Sequence, residues 1–101
     1  MSREPSRMSE IHPARVATRL RALREAVGLG PSEFADSVNI DRSSYSKIEA
    51  GNKPLHHVMA DDVCTRWQVS MDYLYRGFTA DRDLPAAHAD SIRARLIGQK
   101  R

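Results

Sequence analysis

The sequence predicts an all-α fold, and three observations carry that prediction. Apolar residues recur at three- and four-residue spacings, the repeat of a helix with one buried face, in successive segments of the chain. No stretch alternates apolar with polar side chains as a half-buried strand does. Gly, Pro, Asn, Ser and Asp fall between the periodic stretches, where helices start and stop.

Residues 1–12 are expected to form a mobile arm, because Met1 to Glu10 carries Pro5, serines and mixed charge without apolar periodicity. Pro13 suits a first helical position, where its missing N–H costs the helix nothing. Val16, Leu20, Leu23 and Val27 then mark helix 1 over about 13–27, with Gly28 as a left-handed stop. Gly30-Pro31 opens a short helix 2 with Phe34, Ala35 and Val38 inward. Asn39 tolerates positive φ, so Asn39-Ile40 predicts a tight turn that sends Ile40 back into the core. Asp41 caps helix 3, about 42–50, in which only Tyr45 and Ile48 are large and apolar. Gly51 ends it, and Asn52-Lys53-Pro54 forms a loop.

Leu55, Val58, Met59, Val63 and Trp67 predict helix 4 over about 55–67, with His56-His57 and Asp61-Asp62 outward. Ser70 caps a brief helix 5 holding Met71, Tyr73 and Leu74, and Gly77 stops it. Phe78 to Leu84 reads as a charged linker. Pro85 then starts helix 6, with Ala89, Ile92 and Leu96 on one stripe. The predicted organisation is an arm at 1–12, a compact five-helix unit at 13–77, and a linker with an appended helix at 78–101.

Composition narrows the function. The chain has 101 residues, 41% hydrophobic and 29% charged, which supports one modest core and no deep enclosed active site. The expectation is no enzyme and no cofactor. A lone Cys64 closes no internal disulfide, which fits a reducing compartment and leaves intermolecular pairing open. The net charge of +3 is small, but basic groups are in excess at both ends of the chain and acidic groups in the middle. No apolar run approaches the about 18 residues of a bilayer span, and the first fifteen residues resemble no signal peptide. A soluble, cytoplasmic chain without membrane contact is expected.

The unit Pro31 to Ala50, a two-turn helix, a tight turn and a second short helix, has few apolar positions, all inward, with the small Ala35 where the helices cross. Its outer face is left free for another molecule. At this point the chain resembles a known family: RLRALREAVGL, EFADSVNIDRSSYSKIEAGNKP and VSMDYLYRG, spread over Arg19 to Gly77, are similar to the phage-repressor-like (Cro/CI-type, XRE) helix-turn-helix family. The resemblance implies a five-helix repressor-like DNA-binding domain, with an additional C-terminal helix in this chain, whose helix 3 enters the major groove. It also implies a bacterial or phage origin and association with the nucleoid. Three positions depart from the family pattern: Pro31 replaces a Gln that touches DNA, Asn39 replaces the turn Gly, and Asp41 replaces a Ser or Thr cap. The Asp41 charge either lowers affinity near phosphate or pairs with Arg42.

Helix 3 supplies the candidates for base readout. Arg42 pairs bidentately with guanine O6 and N7, Ser43 and Ser46 reach base edges or phosphates, and Lys47 reads guanine or neutralises a phosphate. The alternative for all four is a solvated face. Candidate phosphate contacts are Arg19, Ser32, Ser44, Asn52 and Lys53. By resemblance, Arg24 and Glu49 form a salt bridge that orients helix 3 without touching bases. Ala89, Ile92 and Leu96 are candidate dimer contacts, against the alternative that helix 6 folds back onto helices 1 and 5.

Other chemistry is thinly represented. His12, His56, His57, His88 and Cys64 lack metal-ligand spacing. Asp61-Asp62 diverge on a helix and have no phosphate loop or nucleophile beside them. Trp67, Tyr73 and Tyr75 read either as core or as a stacking platform for single strands. The function expected is a sequence-specific regulator of transcription, a homodimeric repressor on a palindromic double-stranded operator. The alternative is a protein-interaction module with a protein partner, such as the antitoxin of a toxin–antitoxin pair.

Overall fold

A computed structural model describes residues 9–98. The order of elements is α1 (Pro13–Ala26), α2 (Pro31–Ser37), α3 (Arg42–Glu49), α4 (His57–Trp67), α5 (Met71–Arg76), a 3-10 turn (Asp81–Asp83) and α6 (Ala89–Gly98). The described residues contain no strand.

Local chemistry sets the helix ends. His12 Nδ1 accepts the Ala14 N–H at 3.1 Å ahead of α1, and the Glu33 carboxylate accepts the Gly30 N–H at 3.0 Å ahead of α2. Asp41 accepts from Ser44 N–H at 3.0 Å to cap α3, and Ser70 from Tyr73 N–H at 2.9 Å to cap α5. These acceptors satisfy donors that a helix start leaves open. Asn39 sits at φ 57°, and the Ile40 N–H returns to the Ala35 carbonyl at 3.0 Å, which closes the turn between α2 and α3 with Ile40 buried.

The core lies where α1 meets α3, α5 and α6. Leu20, Leu23, Phe34, Tyr45, Ile48, Val63, Tyr73, Leu74 and Ile92 are among its fully buried members. Trp67 stacks on Phe34 with ring centroids 5.9 Å apart and 13° between planes, and its indole N–H donates to Ser37 Oγ at 3.1 Å. Tyr73 donates to the Arg19 carbonyl and Tyr75 to the Leu55 carbonyl, each at 2.5 Å. Packed aromatics with a satisfied polar end are structural side chains: Tyr73 is buried in the core, and the half-buried Trp67 and Tyr75 pack against it.

Three expectations need correction. Helix 4 begins at His57, with Leu55 buried in the preceding loop, and Val58 faces solvent at 55% exposure; Ala60 takes the inward place. The stretch 78–84 is docked and is no free linker: Ser70 donates through its N–H to the Asp83 carbonyl at 3.0 Å and through Oγ to Asp83 Oδ1 at 2.7 Å, and Leu84 is buried. Helix 6 starts four residues after Pro85 and is no appendage. It packs on α1, with Ala89 and Ile92 in the common core and Leu96 against it, and Arg95 reaches Glu25 of α1 at 3.2 Å. Ala89 and Ile92 are therefore unavailable as dimer contacts. The apolar stripe that periodicity revealed is consumed within the chain. Of the expected arm, residues 1–8 lie outside the described residues, while Glu10 is held by Arg19 and the His12 N–H bonds to the Ser9 carbonyl at 3.0 Å.

Candidate nucleic-acid interface

The pair α2–α3 presents one helix face inward and one outward. Tyr45 and Ile48 of α3 are each 1% exposed, and the 3.6-residue repeat that buries them turns Arg42, Ser43, Ser46 and Lys47 toward solvent on a single ridge. Asn52 is exposed just beyond it, its N–H bonded to the Lys47 carbonyl at 2.9 Å. Lys53 is half-buried and donates to Ser44 Oγ at 3.1 Å. Ser32 is exposed in the first turn of α2. The structure thus joins Lys53 to Ser44 and sets Asn52 next to Lys47.

The orientation of α3 is fixed by an ion pair at its far end. Arg24 Nε and Nη2 donate to Glu49 Oε1 and Oε2 at 2.8 and 2.9 Å, and Arg24 Nη1 donates to the Leu29 carbonyl at 3.0 Å. Tyr45 Oη adds a donation to Glu49 Oε1 at 2.5 Å. Burial by itself raises the Glu49 carboxyl pKa, but the hydrogen bonds from Arg24 and Tyr45 outweigh it and hold the group below its ordinary value. The same bond to Glu49 holds Arg24 above its own, and burial together with Glu49 pushes the Tyr45 phenol up. The side chains of Arg24 and Glu49 are only 12% and 14% exposed, so this bidentate pair ties α1 to the end of α3 without facing a ligand.

Arg19, expected at phosphate, is a correction. It is 6% exposed; its Nη1 donates to the Glu10 and Leu74 carbonyls at 2.8 and 3.1 Å and its Nη2 to the Glu10 carboxylate. Burial pulls its pKa below the ordinary arginine value, against the opposing influence of Glu10. Gly77 makes room for it: at φ 81°, a Cβ there would stand 3.0 Å from Arg19 Nη2. Helical spacing places Arg19 off the apolar stripe of α1, and nothing in that spacing shows that the end of α5 closes over it.

Arg42 has a partner that the sequence reading missed. Its Nε and Nη2 donate to Asp36 Oδ1 and Oδ2 at 3.1 and 2.6 Å, whereas Asp41 is occupied in capping Ser44. Of the two alternatives for Asp41, pairing with Arg42 does not form. Asp36 and Arg42 lie six residues apart on two helices, a separation with no meaning within one helix; only the turn geometry at Asn39 brings them together. Among the described residues, no group of three or more His, Cys, Asp or Glu side chains is placed to hold a metal ion, and no helix is long and apolar enough to cross a membrane.

Comparison with known proteins agrees with this geometry. Residues 15–61 match a family model described as a helix-turn-helix domain, a stretch that includes α2, the turn and α3. No curated protein and no solved structure matches the chain. An all-helical fold, a two-helix unit joined by a left-handed turn, and a family match over that unit agree on a helix-turn-helix domain at residues 15–61, consistent with the resemblance to the phage-repressor-like family.

Proposed function

We propose that this protein is a sequence-specific, double-stranded DNA-binding regulator of transcription, acting in the cytoplasm on the nucleoid as a homodimeric repressor of a palindromic operator. The observation that carries the reading is the outer ridge of α3. Its donors Arg42, Ser43, Ser46 and Lys47 are solvent-exposed on a helix whose opposite face is buried. A major groove about 12 Å wide admits one α-helix. In that geometry Arg42 reads base edges from the N-terminal end of the recognition helix, while Ser32, Ser44, Asn52 and Lys53 hold the sugar-phosphate backbone. Arg24 and Glu49 keep the helix at its docking angle. One such ridge covers a short half-site, and two copies related by a two-fold axis cover half-sites one helical turn, about 34 to 36 Å, apart.

Selection of bound duplexes from a random library, followed by gel shift of the enriched sequence against a scrambled one, tests the reading. A palindromic motif bound far more tightly than the scrambled duplex is expected. Arg42→Ala should lose about 1 to 3 kcal/mol of discrimination at one base pair per half-site. Equal affinity for all duplexes would overturn it, and a mass measurement of the complex showing one chain per operator would remove the dimer.

A further inference from the structure

We propose that Asp36 is a positioning residue, which presents the free edge of the Arg42 guanidinium to a guanine of the operator; this rests on the DNA-binding reading above. A guanidinium carries five N–H donors in one planar fork. Asp36 engages one from Nε and one from Nη2, at 3.1 and 2.6 Å, so it occupies the side edge of the fork. The end edge, made of one N–H from Nη1 and the second from Nη2, remains open. Two parallel coplanar donors match the O6 and N7 acceptors of guanine, whereas adenine offers a donor at N6 where its partner needs an acceptor.

The placement of the pair favours presentation over neutralisation. Arg42 is the first residue of α3, the end that meets base edges in this motif, and Asp36 belongs to α2, whose packing against α3 is set by buried Ala35, Val38 and Ile40. The carboxylate is thereby fixed to the frame of the domain, and it restricts a long side chain that otherwise loses rotamer freedom on binding. The bonds from Arg42 hold the Asp36 carboxyl below its ordinary pKa, so it is ionised at neutral pH. Both of its oxygens are engaged, which offsets its charge beside the DNA backbone. Arg42 and Asp36 side chains are 64% and 55% exposed, so the pair is accessible to a base.

The full-length chain and its Asp36→Ala, Arg42→Ala and double variants are passed through the same selection from random duplexes, with thermal unfolding as the check on fold. Since both side chains lie outside the core, all variants should unfold like the parent. The parent should select a motif with one guanine per half-site whose preference vanishes in Arg42→Ala. Asp36→Ala should lower the preference for that guanine by about tenfold, leave the other positions unchanged, and add nothing in the Arg42→Ala background. An unchanged or sharpened guanine preference in Asp36→Ala, with the parent motif still dependent on Arg42, overturns the role of Asp36 and leaves the DNA-binding reading standing. A parent that selects no motif overturns that reading, and this inference with it.

Discussion

Glu49 accepts two hydrogen bonds from Arg24 and one from Tyr45, so two side chains share one carboxylate at the seam between α1 and α3. Its folded pKa is depressed below that of an unfolded glutamate. A depressed carboxylate pKa contributes stability that is fully present above the unfolded value, about 4.3, and is lost as pH falls through the folded value. The difference in unfolding free energy between the parent and Glu49→Gln should therefore be largest above about pH 5 and shrink in acid; a difference independent of pH would contradict this. Arg24→Ala strands the half-buried carboxylate and should cost about 3 to 5 kcal/mol in urea unfolding. At Gly77 the φ of 81° and the 3.0 Å at which an added Cβ would meet Arg19 act together, whereas a Cβ added at Gly28, φ 80°, would meet nothing within 4 Å. Both Gly→Ala changes should lose about 1 to 2 kcal/mol from the left-handed backbone. Gly77→Ala should lose clearly more, because it displaces a buried guanidinium; equal losses in denaturant titrations would show that Arg19 moves aside freely.

Among the elements, α6 changed role most between sequence and structure. Its stripe of Ala89, Ile92 and Leu96 was legible as helical periodicity, but periodicity reports only that a face is buried and not against which partner. The structure buries it on α1, with Asp83 and Leu84 leading the chain back past Ser70. Ile92→Ala should thus cost about 2 to 5 kcal/mol, as for other large-to-small changes in a closed core. Ile97→Ala, at a position 72% exposed, should stay within about 0.5 kcal/mol. Comparable small shifts for both in thermal unfolding would mean that α6 is undocked in solution. The helices of the recognition unit were more legible, because their limits are local: Asn39, Asp41 and Gly51 act on their own turns and leave little for tertiary contacts to decide.

For the whole molecule, the sequence's net charge of +3 says little about DNA; the number of cations at the interface matters more. Each phosphate neutralised adds close to one unit to the slope of log affinity against log salt. Lys53, held beside α3 by Ser44, is proposed as such a contact, and Lys53→Ala should reduce the slope by about one. Arg19→Met should leave it unchanged while lowering stability, since that charge faces Glu10 and Leu74. A slope that falls with Arg19→Met and is unmoved by Lys53→Ala would reverse the assignment of the two residues.

The amino-acid order alone determined the helical class, the turn at Asn39, the caps at Asp41 and Ser70, and the outward ridge of α3, because each depends on spacing or on a side chain acting within a few residues of itself. The three-dimensional packing decided the rest. Arg19 is enclosed, Arg42 is bound to Asp36 and α6 closes the core, each through contacts between segments that local pattern does not relate. A charge off the apolar stripe looks the same in sequence whether water or a distant helix lies over it, and only the folded chain distinguishes the two.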